Sequence, residues 1–493
     1  MKILTFRDLV STIEKHSIPL DQHHLRQVFD YAQQAHGDQQ RLSGEPFFQH
    51  PLHVAQLVAT WGMDQTTIET ALLHDTIEDT PVTYNDLEKE FGRTTAFLVN
   101  GVTNVGKVKL RHSVDQQFTE NLRKMFVAMS KDFRVVVVRL ADRLHNMLTL
   151  DALPKKKQRR IALETLEVYA PLAERLGMGE IKGELEDLAF KYVHSKEYRQ
   201  ITDLVNKHMA KAKQTTNKII SQINKLLKQN HISAQVHGRY KRKYSLYCKL
   251  NRPGVKGDIN KVHDLIAVRI ITDSKPDCYQ ALGLVHAHFK PVPYLGVSDF
   301  IAQPKPNGYQ SIHTKVFDHQ GQIIEIQIRT HDMHHQAEFG SAHHALYAEA
   351  KSSGVSDESL EKGTAFKITQ KMKWVQQLAE WQKQIQSSEE FVSDLKLDAL
   401  SHRIYVYSPL GDVYDLPAQA TPVDFAFAVH SDIGLHLQAA KINQKMASLD
   451  QPLKSGDIVE IVKSKRARKP SRDWLKFVKS SKAKTDIKKA LNL

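Results

Sequence analysis

Cysteine is nearly missing from this sequence: Cys248 and Cys278 are the only two in 493 residues. A disulfide framework and a thiolate zinc site both need more than that, so any bound metal has to be held by imidazoles and carboxylates. Long apolar runs are missing as well. No stretch approaches the roughly 18 unbroken apolar residues of a membrane span, and the opening MKILTFRDLVSTIEKH carries charge too early for a secretion signal. A cytoplasmic protein with no membrane partner is expected. With Gly 22 and Pro 17, the composition gives no sign of fibrous or long disordered segments, and 41% hydrophobic with 25% charged residues is ordinary globular material. The length suits about three domains. Acidic residues fall short of basic ones, leaving a net charge of +14. Most of that excess sits at the end, where residues 463–493 hold twelve Lys or Arg against Asp473 and Asp486. Such a segment suits phosphate backbones, because each cation that neutralises a phosphate releases counterions. The plainer alternative is a solvated, solubilising tail.

Apolar spacing at three and four residues runs through LRQVFDYAQQAH, FVAMSKDFRVVVVRLADRLHNML and QRRIALETLEVYAPLAERLG, so residues 1–200 read as a helical domain, with Pro171 kinking the last stretch. A lysine-rich helical connector follows. Short β-branched runs then appear, LIAVRIIT, HTKVFD and QIIEIQIRT, the last two separated by the turn His319-Gln320-Gly321, which gives a mixed α/β domain over 201–350 with its leading connector. Residues 351–400 read as a helical linker with Met372, Val375, Leu378 and Trp381 as a packing stripe. Two strands, a short helix and further strands make 401–464 a small β-grasp-like module, and 465–493 is the basic tail.

In the helical half, ALLHDTIEDT sets His74 beside Asp75, with Glu78 and Asp79 one turn on. Spacing of three and four residues puts these on one helix face, so His74 and Asp75 could hold a metal toward which Glu78 and Asp79 reach. His50, in EPFFQHPLHVA, and Asp142, a carboxylate inside an apolar helix, could complete the shell. A lone His-Asp pair is usually a surface pair, but a buried Asp142 needs a partner. Ligation by imidazole and carboxylate without thiolate favours a hard or borderline ion such as Mn²⁺, and the chemistry implied is phosphoester hydrolysis.

GEPFFQHP, LLHDTIEDT and LADRLHNM together resemble the HD-type hydrolase domain of the RelA/SpoT homologues, which handle the alarmone (p)ppGpp. The resemblance implies that His50, His74, Asp75 and Asp142 bind Mn²⁺, that Glu78 and Asp79 act on the attacking water, and that Arg41, Ser43 and Asn146 line the nucleotide pocket. Leu148 stands where the family usually has Arg, which bears on substrate grip and leaves the metal centre untouched.

Pyrophosphoryl transfer needs carboxylates for Mg²⁺, cations for the transferring group and a base at the attacking hydroxyl. GRYKRKYSLYCKL, HDLIAVRI, DFIAQPKPNGYQSIHTKV and EIQIRT supply all three. Asp264 opens one expected strand and Glu325 lies in another, so adjacent strands could present both to one metal. Arg239, Lys241 and Lys249 are expected along a helix as a phosphate clamp with Ser245, and Asn307-Gly308-Tyr309 forms a turn that offers a ring to a purine. These segments resemble the synthetase domain of the same family, with a nucleotidyltransferase-like α/β fold. The resemblance implies transfer of the β,γ-pyrophosphate of ATP to the 3′-hydroxyl of GDP or GTP. Asp264 and Glu325 would bind Mg²⁺, Glu325 would also be the base, and Tyr309 would stack on guanine. Arg239, Lys241 and Lys249 would contact ATP, while Lys305, Asn307, His313 and Gln327 would surround the acceptor. Where the family carries Arg-x-Lys-Asp or Glu-x-Asp-Asp, this chain has Gly296-Val297-Ser298-Asp299, and Ala342-His343-His344-Ala345 replaces Ala-Ala-His-Trp. Weaker or differently tuned synthesis is expected.

From IYVYSPLGDVYDLP to LKSGDIVEIV the chain resembles the TGS domain of long members, a module that contacts the ribosome and deacylated tRNA in that family. The expectation is thus a multidomain RelA/SpoT homologue without the C-terminal regulatory region beyond TGS: an all-α HD-type hydrolase, an α/β synthetase and a β-grasp TGS domain. It would make and destroy (p)ppGpp, with reciprocal control through residues 150–230. The alternatives are a hydrolase whose synthetase half is regulatory, and a ribosome- or RNA-bound regulator with neither activity.

Overall fold

A computed structural model describes residues 2–103, 114–252, 254–255, 257–262, 265–293, 295–305, 307–318, 321–340, 403–464 and 470–492. Asp264, His319, Gln320, the 342–345 stretch and the expected linker 351–400 with its Met372, Val375, Leu378 and Trp381 stripe lie outside the described residues. No described helix is long and apolar enough to cross a membrane.

The chain falls into two compact units, Met1–Gly106 with Val127–Lys371 and Lys107–Phe126 with Met372–Leu493. Helices fill the first part of the larger unit. Helix Arg134–Leu148 is buried on nearly all sides, including Val135, Val136, Val137 and Val138, a β-branched run whose strand preference yields to packing. The continuous helix expected through FVAMSKDFRVVVV is instead two, Val114–Lys131 and Arg134–Leu148. Asp132 makes the break: its Oδ1 accepts from the backbone N–H of Arg134 at 3.0 Å, its Oδ2 lies 2.7 Å from the guanidinium, and the same guanidinium reaches Asp64 at 2.8 Å. At Pro171, which has no N–H to give a continuous helix, one π-helical turn over Thr165–Tyr169 leads into helix Ala170–Arg175.

The connector is one long helix, Ser195–Gln229, whose Ile219, Ile223 and Leu227 cover a five-stranded sheet. Its strands are β1 (Ala234–Tyr240), β2 (Ile266–Thr272), β3 (Ser298–Asp299), β4 (Ile312–Phe317) and β5 (Ile323–Thr330), in the order β1-β2-β5-β4-β3. Only β2 and β5 are parallel, with Ala267 opposite Glu325. Side chains alternate across a strand, so the two faces differ in chemistry. Val236, Val268, Ile270, Ile312, Val316, Ile324, Ile326 and Ile328 form the core with Cys278, Ala281 and Val285 of helix Lys275–His288. Arg239, Arg269, His313, Glu325, Gln327 and Arg329 occupy the alternate positions on the opposite face.

The expected boundary near residue 200 is no break in packing, because helix Gly179–Val193 packs both on helix Arg134–Leu148 and on helices Lys243–Leu250 and His331–Phe339. Two glycines permit that approach. A Cβ on Gly179 would lie 2.7 Å from the carbonyl of Ala337, and one on Gly183 would collide with the Arg242 side chain.

In the C-terminal unit, β6 (Arg403–Tyr407) pairs with β7 (Val413–Pro417), and β10 (Val459–Lys463), β8 (Leu437–Ile442) and β9 (Lys445–Ala447) form a second sheet around helix Pro422–Val429. The described part of the expected tail is folded against this module. Helix Ser481–Leu491 buries Ala483 and Ile487 with Val423, Ala426, Phe427 and Val478. Asp424 joins the two parts: fully buried, it accepts from the N–H of Thr421 at 2.8 Å, of Lys479 at 2.9 Å and of Ser480 at 2.7 Å. Sequence reading misses this because a basic segment in isolation shows no sign of a buried acceptor waiting for its backbone. Asp424→Ala strands these donors and is expected to cost about 2–4 kcal/mol, read by denaturant unfolding followed at Trp474.

Candidate active sites

The first site forms where helix Gln65–Leu73 ends. The last carbonyls of a helix lack intrahelical donors. Here they are taken up by side chains, Thr76 Oγ1 donating to the Leu73 carbonyl at 2.7 Å and His74 Nδ1 to that of Ala71 at 2.8 Å. The expected single helical face is therefore broken. His74 and Asp75 sit at the junction with the short helix Thr76–Asp79, and Glu78 and Asp79 on that turn are exposed.

Because a carbonyl only accepts, His74 Nδ1 carries a hydrogen, and Nε2 is the ring nitrogen turned toward the carboxylates. That Nε2 is buried without a hydrogen bond, 3.1 Å from Asp75 Oδ1 and 3.9 Å from Asp142 Oδ1. His50, from helix Gln49–Thr60, brings its Nε2 to 3.2 Å from Asp142 Oδ1 and 3.5 Å from Asp75 Oδ2. Burial pushes the His50 imidazole down to about 4, so it is neutral near pH 7. Burial also pushes Asp75 up, with the charges of Asp142, Asp79 and Glu78 adding to it. Two carboxylates crowded together in a buried site repel unless positive charge lies between them, and the Nε2 atoms of His50 and His74 face the same place. The two-nitrogen, two-oxygen donor set fits a divalent ion. Among the described residues His50, His74 and Asp142 bring three ligand atoms within 4.8 Å of one another, and Asp75 stands beside this trio.

Arg41 and Asn146 border this centre, Arg41 Nη2 donating to Asn146 Oδ1 at 2.9 Å. Ser43 is exposed in the adjoining loop and bonds Glu45, and Leu148 is 48% exposed.

The second site is a cavity of about 290 Å³ on the charged face of the larger sheet. Of the expected residues, Arg239, Lys241, Ser245 and Lys305 line it, as do Asn307, Tyr309, Glu325 and Gln327. Arg239 belongs to strand β1 and Lys241 follows it, not a helix as expected; the β-branched pairing partner β2 draws this segment into the sheet. Lys249 is on helix Lys243–Leu250 with Ser245 but does not line the cavity. Glu325 Oε1 accepts from Gln327 Nε2 at 2.7 Å and lies 3.3 Å from His313 Nδ1, while His313 Nε2 meets Tyr309 Oη at 2.8 Å. The Asn307 turn is real: Gly308 has φ +80° and the Tyr309 N–H donates to Asn307 Oδ1 at 3.2 Å. Lys305 sits over the rings of Phe300 and Tyr309.

Sequence reasoning missed two groups here. Glu174, Lys182 and Glu186, from the helical half, form one wall, and no local motif announces that. Glu338 lies 3.1 Å from Arg269 and 2.6 Å from Arg329, compensating two of the arginines on the site face. The alternation of EIQIRT, with Glu325, Gln327 and Arg329 on one face, was the available signal.

An HD domain model matches residues 29–179, a model described as the region found in RelA / SpoT proteins matches 238–352, and a TGS domain model matches 404–463. The chain is 42% identical over 484 residues to a GTP pyrophosphokinase of Myxococcus xanthus, covering 96% of this chain and 62% of that protein. It is 44% identical over 475 residues to the bifunctional (p)ppGpp synthase/hydrolase SpoT of Escherichia coli (strain K12), covering 96% and 66%. Against a GTP pyrophosphokinase of Streptomyces coelicolor it is 44% identical over 477 residues, covering 94% and 55%. The chain thus spans between about half and two thirds of the length of these relatives. The solved small alarmone synthetase 1 from Bacillus subtilis, bound to its product pppGpp, is 20% identical, covers 40% of this chain and 99% of that one, and superimposes with a TM-score of 0.24, too slight a likeness to bear on the sites. The three domains in this order, with a relationship that runs through nearly the whole sequence, establish that the chain belongs to the RelA/SpoT family.

Proposed function

We propose that this chain both hydrolyses and synthesises (p)ppGpp, at two separate sites, and works in the cytoplasm. The observation that carries the hydrolase reading is the pair of buried imidazole Nε2 atoms facing two carboxylates. His50, His74, Asp75 and Asp142 would hold Mn²⁺, which when bound polarises a phosphoryl oxygen and lowers the pKa of water. Glu78 and Asp79, on the exposed turn beside Asp75, accept the proton of the water that attacks the 3′-pyrophosphate; the bond from the ribose oxygen breaks, and GDP or GTP leaves with pyrophosphate. Arg41, Ser43 and Asn146 border the nucleotide.

In the second site Arg239, Lys241 and Ser245 bind the phosphates of ATP. Lys305, Asn307, His313 and Gln327 surround GDP or GTP, and Tyr309 stacks on guanine. Glu325, held by Gln327 and facing His313, removes the proton of the 3′-hydroxyl as that oxygen attacks the β-phosphorus of ATP, and AMP departs. Asp264 and Glu325 would hold Mg²⁺, which neutralises charge on the phosphates. The exposed Lys482, Lys488 and Lys489 of helix Ser481–Leu491 suit contact with ribosomal RNA or tRNA.

One observation favours a quieter synthetase. Asp299, the carboxylate of the Gly296-Val297-Ser298-Asp299 loop, accepts from the N–H of Ile301 and Ala302, both at 2.9 Å, and from Tyr279 Oη at 3.0 Å, and the loop is not part of the cavity lining. Its carboxylate caps a turn and is not offered to substrate.

Four outcomes are expected. Asp142→Ala, supplied with ATP, GDP and Mg²⁺, forms ppGpp and an equal amount of AMP on anion exchange; absence of product with both GDP and GTP would favour the quiet synthetase. Glu78→Gln lowers kcat for ppGpp hydrolysis by roughly 10²–10⁴ with little change in KM, while Glu325→Gln abolishes synthesis and leaves hydrolysis within about twofold of its original rate. Binding of tRNA, measured by filter retention, weakens steeply as salt rises, and replacing Lys482, Lys488 and Lys489 with Ala lowers the slope of log K against log salt by roughly 3.

A further inference from the structure

The metal ligands do not explain three polar side chains packed behind them, Arg41, His145 and Asn146. His145 is 1% exposed, and its Nδ1 lies 2.7 Å from His50 Nδ1 and 3.2 Å from Arg41 Nη1. A guanidinium has donors only, so His145 Nδ1 must carry the lone pair. His50 Nδ1 then donates to it, which leaves His50 Nε2 bare and aimed at Asp75 and Asp142. The second arm of Arg41 reaches the other side of the centre: Nη2 donates to Asn146 Oδ1 at 2.9 Å, and Asn146 Nδ2 donates to Asp142 Oδ1 at 2.5 Å. That Oδ1 is the Asp142 oxygen that lies 3.2 Å from His50 Nε2 and 3.9 Å from His74 Nε2. One guanidinium therefore sets the tautomer of a ligand on helix Gln49–Thr60 and the carboxylate orientation of a ligand on helix Arg134–Leu148. His145 also leaves its Nε2 buried with no hydrogen bond. An apolar ring or Leu would fill the same space without that penalty, so packing alone does not account for a histidine here.

We propose that Arg41, acting through His145 and Asn146, is a positioning residue of the hydrolase metal centre before any substrate arrives. Partners of this kind, which fix the tautomer and angle of a ligand, tune metal affinity without touching the ion. The inference rests on the metal-dependent hydrolase reading and goes beyond the nucleotide contacts expected of Arg41 and Asn146.

The test is Mn²⁺ titration of the full chain without nucleotide, free ion read by electron paramagnetic resonance, with His74→Ala as the blank for binding elsewhere. Arg41→Ala and His145→Leu are each expected to weaken Mn²⁺ binding about 10–100-fold. His145→Asn keeps an acceptor oxygen where Nδ1 stood and is expected to stay within about threefold of the original affinity. Circular dichroism checks that each variant is folded, and if Arg41→Ala is not, the Leu and Asn variants of His145 decide alone. Unchanged affinity in folded Arg41→Ala, or His145→Asn as weak as His145→Leu, would overturn the inference and leave the hydrolase reading standing. No Mn²⁺ uptake above the His74→Ala blank by the unsubstituted chain would overturn both.

Discussion

Two imidazoles, buried with their Nε2 atoms against two carboxylates, are the constraint around which the helical half is organised. Each ring is held in orientation: His74 by the carbonyl of Ala71 at a helix end, and His50 by the Arg41 and His145 pair behind it. Such an arrangement is repulsive on its own and becomes favourable with a divalent cation at its centre, so the protein holds its ligands in place through backbone and guanidinium contacts that do not depend on the ion. The burial of helix Arg134–Leu148 on nearly all sides supports Asp142 in the same way, since a helix packed all round cannot rotate its carboxylate out to water.

The second half solves a different problem, the concentration of positive charge on one sheet face. Strand alternation sends isoleucine and valine to one side and Arg239, Arg269 and Arg329 to the other. Glu338 compensates two of these, and burial with the neighbouring Arg329 pushes Arg269 down to about 10. The cavity above them is closed by helix Gly179–Val193, which also packs on the helix carrying Asp142. A ligand in this cavity would thus touch an element in direct contact with the helix that carries Asp142, a short physical route between the two sites.

Much of this was legible in the sequence, and for a physical reason. His50, His74, Asp75 and Asp142 sit in short segments whose polar residues interrupt apolar surroundings, and buried polar residues advertise a partner. Glu325 and Gln327 were legible through strand alternation. Three features were not. The break between His74 and Asp75 depends on which carbonyls a helix end leaves free, Arg239 lies in a strand because its pairing partner Ala267 on β2 is 28 residues away, and the wall made by Glu174, Lys182 and Glu186 is a product of packing between halves. The folding of residues 470–492 onto the TGS module was hidden likewise, since only the position of Asp424 in space shows what Lys479 and Ser480 donate to.

The most direct test of the central claim is electron spin-echo envelope modulation of the chain loaded with one equivalent of Mn²⁺. Coupling to two directly bound imidazole nitrogens, reduced to one in His50→Ala, is the result this account predicts. A spectrum with no nitrogen coupling would mean that the ion is held by oxygens alone and that the convergence of His50 and His74 serves some other purpose.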